Sequence, residues 1–161
     1  MRTWIIACCL CIFCFILPLQ CFIIGDNLGL GIQGAVFRYQ MTIQGNSLIP
    51  ITRELGYITS GLYSGKSAIS VILWTLGTIV LAATTILSLI YWNRLPHPRL
   101  MLLLAGLVSA SIFYVGSCVA LYGLFLSGPA GISIPIGVVI MIMFTIFLYS
   151  YQDLFFSPEH D

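Results

Sequence analysis

Charge is what this chain has least of. Lys, Arg, Asp and Glu make up 7% of its 161 residues, against about 25% in soluble domains. A water-soluble fold so poor in charge could not cover its surface, so the composition points to lipid as the solvent. A net charge of +1 with no basic stripe leaves no footprint for nucleic acid. Histidine is almost as scarce: His97 and His160 are the two present. Haem ligation inside an apolar bundle has no histidine to draw on, and no zinc-type spacing occurs. A Ser–His–Asp site would need one of these two residues to reach the membrane face. No catalytic group, cofactor or metal is therefore expected. Glycan acceptors are missing too, since Asn46-Ser47-Leu48 fails at its third place.

Cysteine is present but badly placed for disulfides. Cys8, Cys9, Cys11, Cys14 and Cys21 crowd one apolar segment, and Cys118 lies in another. None falls in the polar loop, which argues against a disulfide framework. Cys11 and Cys14 have redox-pair spacing, yet a thiol amid Ile, Phe and Leu has its thiolate disfavoured by desolvation. They read as small lipid-compatible side chains, with S-acylation of Cys8 or Cys9 as the second reading.

What the chain has is long apolar runs. Sixty per cent of the residues are hydrophobic. Four segments free of charge, at about 4–24, 67–92, 100–126 and 133–151, have spanning length. The first could instead be a cleaved signal peptide, but it is long for one and no small-x-small site follows it. The expectation is one domain over 1–161: an all-α membrane protein, a four-transmembrane-helix bundle with a small extracellular β-sheet in the first loop. The third segment, at roughly 40 Å, must tilt or project beyond a hydrocarbon core of roughly 30 Å. Ser127 to Gly131 reads as a tight link, with Ser133 capping the fourth helix and Pro135 in its first turn. Arg2, Arg94 and Arg99 flank span ends on one side. By the positive-inside rule that side is cytoplasmic. Lys66, at the other end of the second span, weakly opposes this. Both termini are then cytoplasmic, the large loop is outside, and the expected address is a multi-pass protein of the plasma membrane. Trp4, Trp92 and Tyr151 stand where interfacial anchors belong.

The polar loop, 25–66, holds five of the eleven charges: Asp26, Arg38, Arg53, Glu54 and Lys66. Phe37, Tyr39, Met41 and Ile43 alternate with Arg38, Gln40 and Thr42, the period-two pattern of a half-buried strand. Gln44-Gly45-Asn46-Ser47 reads as a turn, and Leu48 to Thr52 as a returning strand confined to an edge by Pro50. Glycines 25, 29, 31 and 34 suggest an irregular lead-in to this sheet of two or three strands. Arg53 and Glu54 read as ordinary loop charges. Ser64-Gly65-Lys66-Ser67 has the end of a phosphate-binding loop, but Ser60 stands where its first glycine belongs.

Helices in lipid associate through small residues. Ala105, Ser109, Gly116 and Ala120 form the candidate packing stripe of the third span, and Thr78, Ala82, Thr85 and Ser88 share one face of the second. The functional expectation is a non-enzymatic membrane protein working in protein–protein association or membrane organisation. Its candidate contact strand is Phe37, Arg38, Tyr39, Gln40 and Met41, with an edge open to pairing. The expected partners are the bilayer and a second copy or another membrane protein. The alternative is a channel or transport subunit with a path along Thr78, Thr85, Ser88 and Ser109.

Gly29-Leu30-Gly31, Gly34 and Asn46-Ser47-Leu48 sit in this loop in an order that resembles the claudin and peripheral-myelin-protein class of tetraspan proteins. Claudins have Gly-Leu-Trp followed by two cysteines here. In this chain Gly31 takes the place of the tryptophan, Gly34 stands where the first cysteine would fall, and both cysteines are missing. The resemblance covers the layout of the whole chain. It implies cytoplasmic termini, a sheet-bearing first extracellular loop and a long third helix. In function it implies junction strands and pores, or membrane shaping.

Overall fold

The computed structural model describes residues 3–25, 28–90 and 97–150. The expectations placed on Arg2, Asp26, Trp92, Arg94, Tyr151 and His160 lie outside these residues, as do those on the side chains of Trp4, Cys8, His97 and Arg99. The chain runs α1 (Thr3–Ile16), β1 (Gln20–Ile24), β2 (Gly29–Gln33), β3 (Phe37–Thr42), β4 (Gly45–Pro50), α2 (Ile51–Thr59), α3 (Gly65–Ile90), α4 (His97–Tyr122), β5 (Ser127–Gly128), β6 (Gly131–Ile134) and α5 (Ile136–Ser150). All strands join one antiparallel sheet in the order β4-β3-β2-β1-β6-β5.

This overturns the expected all-α four-helix membrane bundle. Among the described residues there are five helices and a six-stranded sheet. Two helices there, Gly65–Ile90 and Met101–Tyr122, are long and apolar enough to cross a membrane. The described parts of α1 and α5 are 14 and 15 residues long.

Each departure has a local cause. The apolar run 4–24 stops being helical at Ile16. Pro18 has no N–H to donate and drives Leu17 away from helical backbone. The residues after it, Cys21-Phe22-Ile23-Ile24, suit a strand better than a helix. The run 100–126 ends its helix at Tyr122, where Gly123 adopts φ 87 and its N–H bonds to Val119 O at 2.8 Å. That left-handed turn is the usual glycine helix stop. The run 133–151 gives its first residues to β6. Ser133 caps nothing; its hydroxyl donates to Gln20 Oε1 at 2.8 Å. In the polar loop, the glycine-rich lead-in forms a regular strand, β2, and Ile51 to Thr59 forms α2.

The sheet is polar inside and apolar outside. Cross-strand partners define two inner rows: Gln20–Gln33–Arg38–Ile49, and Ser133–Phe22–Gly31–Gln40–Ser47. Two outer rows are Ile134–Cys21–Ile32–Tyr39–Leu48 and Ile132–Ile23–Leu30–Met41–Asn46. Gln20, Gln33 and Ser133 are buried, whereas Leu30, Met41, Leu48, Ile132 and Ile134 are exposed. The alternation at 37–43 is therefore real, but it is the polar side of β3 that faces the helices.

The helices show the same inversion. Ser70, Thr78, Thr84, Ser88, Ser111 and Ser117 are buried between them, while Ile69, Ile72, Leu76, Ile79 and Ile86 form an exposed stripe on α3. The core is centred on Trp74, Leu81, Leu107, Ala110, Tyr114 and Met141. In the candidate packing stripe, Ala105 is exposed and Ser109, Gly116 and Ala120 are half-buried. The closest helix approach runs instead through Gly77, against Tyr114, and Gly106, where an added Cβ would fall on Thr84 Oγ1. Gly106→Leu is expected to destabilise the fold by about 1–3 kcal/mol through overpacking. Ala105→Leu, one residue away and outward, should stay within about 0.5 kcal/mol. Unfolding of the two purified variants in mild detergent checks the contrast.

Candidate functional site

The inner face of the sheet carries a continuous polar chain. Gln20, Gln33 and Arg38 stand opposite one another on β1, β2 and β3. Antiparallel partners lie close enough for their side chains to bond directly. Gln20 Nε2 donates to Gln33 Oε1 at 2.7 Å. The same oxygen accepts from Arg38 Nη2 at 2.9 Å and Nε at 3.2 Å. At the other end, Gln20 Oε1 accepts from the Cys118 thiol at 2.6 Å and the Ser133 hydroxyl at 2.8 Å. One row of side chains thus ties α4 and β6 to three strands.

The chain ends in an ion pair. Arg38 Nη1 lies 3.0 Å from Glu54 Oε1, and Glu54 is 0% exposed. Beyond that pairing, no well-formed hydrogen bond reaches the Glu54 carboxylate from the described residues, although the Tyr63 phenol interacts with it. Arg38 also lies over two rings, 5.4 Å from the centroid of Trp74 and 5.7 Å from that of Phe22. Such cation–π contacts gain strength when desolvated. Trp74 is fixed in turn by its indole N–H, which donates to Gly34 O at 3.0 Å. Beside it, the Thr78 hydroxyl donates to Ala35 O at 2.5 Å. The β2–β3 turn is therefore bolted to α3.

Sequence reasoning missed Glu54. The signal was its place on α2: Ile51, Glu54, Leu55 and Ile58 share one face at spacings of three and four. An acid on the apolar side of a short helix, in a chain with few charges, calls for a buried cation. Arg53 points away, exposed, with its guanidinium 5.8 Å from the Tyr57 ring.

Phe37, Arg38, Tyr39, Gln40 and Met41 are brought together on β3, but both edges of β3 are already paired, to β2 and β4. Edge pairing through this strand is closed, and the free edge beside it belongs to β4. Tyr39 and Met41 face out, while Arg38 and Gln40 face in. The hydroxyls of the suggested channel path on α3 are engaged with backbone. Thr78 bonds Ala35 and Trp74 carbonyls, Thr85 donates to Leu81 O at 2.8 Å, and Ser88 donates to Thr85 O at 2.7 Å. These hydroxyls satisfy backbone within the fold, and Ser109 is half-buried on the other helix.

Between the inner face and the ends of α3 and α4 lies a pocket of about 220 Å³. Phe22, Ile24, Arg38 and Gln40 line it from the sheet, Tyr63, Ser67, Ser70 and Val71 from the start of α3, and Leu121, Tyr122 and Ala130 from the far side. The Tyr63 phenol is held above its ordinary value of 10.0, first by burial and then by the field of Glu54, with Arg38 opposing. No family model, no curated protein and no solved structure matches this chain.

Two outcomes follow from this chemistry. Arg38→Met strands Glu54 as an unpaired buried charge and should lower stability by about 3–5 kcal/mol, whereas Arg38→Met with Glu54→Leu should recover most of the loss. Chemical unfolding of the three proteins measures the coupling. A phenol whose pKa rises on folding adds stability that is complete below its unfolded value and is lost as pH climbs through the folded one. Melts across the alkaline range should therefore fall more steeply in the wild type than in Tyr63→Phe.

Proposed function

We propose that this chain is a non-enzymatic membrane protein that associates with a second copy of itself through the outer face of its sheet. The observation that carries the reading is the reversed polarity of the sheet. Its two outer rows run across five strands, carry no charge, and hold one amide, Asn46, among aliphatic and aromatic side chains and a thiol. Leu48 alone is 62% exposed. Contiguous apolar surface of this kind marks an interaction site.

A second copy fits this face better than an unlike partner. The face is uncharged, so apposing it to itself meets no repulsion. Five strands about 4.8 Å apart and about 17 Å long give a face of about 24 × 17 Å. Two such faces, with side-chain relief, bury on the order of the 1,200 Å² of a small specific interface. A two-fold axis through the sheet would make a sandwich about 10 Å thick.

Membrane residence is supported by the apolar outer stripe of α3 and the hydroxyl groups turned inward, an arrangement suited to lipid. In this reading α3 and α4 cross the bilayer. Arg94 and Arg99, in the sequence between α3 and the body of α4, favour a cytoplasmic link by the positive-inside rule, which in this reading leaves the sheet outside the plasma membrane. α1 leads into β1 and α5 leaves β6, so in this reading the start of α1 and the end of α5 point toward the cytoplasmic side. The absence of charge from the outer rows and the commitment of Glu54 to Arg38 support a binding role rather than a chemical one.

The test is the mass of the purified protein in mild detergent and in nanodiscs, by light scattering. Wild type should be a dimer. Leu30→Lys with Met41→Lys, a directly opposed outer pair, should be a monomer with an unchanged melting temperature. A wild-type monomer at micromolar concentration, or a double variant that stays dimeric, would sink the reading.

A further inference from the structure

We infer that the pocket behind the sheet binds the uncharged glycerol-ester part of a neutral acylglycerol. This rests on the membrane reading above and concerns a different surface from the dimer face.

The depth of the pocket comes first. Ser67 lies in the first turn of α3, and Tyr122 is the last residue of α4. The 22 residues from Met101 to Tyr122 rise about 33 Å, enough for a hydrocarbon core of about 30 Å. The pocket therefore sits where acyl chains meet head groups.

Its charge comes second. Arg38 is the cation in the lining, and Glu54, 3.0 Å away, already neutralises it. A phosphate would have to approach a buried carboxylate or break a desolvated ion pair, and both are costly. The site suits a polar group without charge.

Three polar side chains in the lining make no hydrogen bond to another described residue, and their polar atoms are not sealed off. The Tyr122 hydroxyl, on a residue 6% exposed, makes no hydrogen bond among the described residues. The Gln40 amide and the Ser67 hydroxyl likewise make none there. Together they offer donors to an ester carbonyl and acceptors to a free hydroxyl. Phe22 and Leu121 supply apolar wall. On the scale by which a 150 Å³ cavity takes benzene, this volume accommodates about nine non-hydrogen atoms, the size of glycerol with one ester.

Exposed apolar side chains adjoin the lining residues in the sequence. Leu62 precedes the lining residue Tyr63, and Leu124 and Phe125 follow Tyr122. Leu124 is 83% and Phe125 93% exposed. They occupy the centre of a turn closed by the Leu126 N–H to Gly123 O at 2.9 Å, with Leu126 itself at φ 54. A branched residue in left-handed backbone is a rare conformation held by its surroundings. It presents two large, exposed apolar side chains within three residues of the lining residue Tyr122.

The probe is a photoactivatable diacylglycerol at a few mole per cent in phosphatidylcholine nanodiscs containing the full chain, with labelled residues mapped by mass spectrometry. Label should concentrate on 62–71 and 121–126. Unlabelled diacylglycerol should compete and phosphatidic acid should not. Ser67→Trp, which fills the pocket, should abolish this labelling. Tyr122→Phe, which removes one hydroxyl and keeps the ring, should reduce it about three- to tenfold, the value of one hydrogen bond. Circular-dichroism melts confirm that each variant is folded, and Tyr122→Phe alone decides the matter if Ser67→Trp is not. Label spread evenly over the lipid-facing helices, indifference to Tyr122→Phe, or stronger competition by phosphatidic acid overturns the assignment. Alkaline extraction of membranes runs in parallel. A chain released by alkali overturns the membrane reading and this inference together; a retained chain with evenly spread label overturns this inference alone.

Discussion

The ion pair between Arg38 and Glu54 is the constraint around which the rest of this fold is arranged. Arg38 stands on a central strand of a sheet whose inner face is closed off by helices, and a guanidinium there needs its charge matched and its donors filled. α2 brings Glu54 under it. Gln33, opposite on the next strand, accepts from two of its nitrogens, and Gln33 is oriented by Gln20 one strand further on. Gln20 is held by Cys118 and Ser133, from α4 and β6. Removing any member leaves its neighbour with an unmet polar atom in a largely buried setting. A network of six polar groups therefore sets the register of the sheet and its seat on the helices at once.

This polar interior accounts for the apolar exterior. A two-faced sheet in water turns its apolar side to the core. Here the inner side is committed to the Arg38 network, so Ile23, Leu30, Ile32, Tyr39, Met41 and Leu48 are left facing out. The helices follow the same rule for a different reason. Their hydroxyls are satisfied by backbone carbonyls inside, while their outer faces are aliphatic, as suits lipid. The molecule thus has two apolar surfaces of different kinds, rounded helix flanks and a flat sheet face.

The pocket arises where these two parts join. The sheet cannot press flat on the ends of α3 and α4, because Arg38 and its two aromatic rings stand between them. The space left beside that stack is lined by the residues that close the helices, Ser67 and Tyr122, and is bounded by the two turns that reverse the chain there. Its neutrality is a direct consequence of the ion pair, so the contact that seats the sheet also selects what can enter beside it.

The sequence alone determined the apolar character of the chain, the lack of charge in its long runs, the positions of α3 and α4, and the strand at Phe37 to Thr42 with its return beside Pro50. These depend on local pattern: spacing, helix stops and side-chain alternation carry them. Tertiary structure decided which face of that strand is inside, the recruitment of Gln20 to Ile24 and Gly131 to Ile134 into the sheet, and the burial of Glu54. Each of these depends on partners distant in sequence. An arginine on a strand looks like a solvent-facing residue until a glutamate sixteen positions later is carried over it, and an apolar run looks like a span until its last residues find strands to pair with. Periodicity reports that a strand has two unlike faces. Which one is buried is set by the partners that neutralise its charge, and those are chosen by the fold.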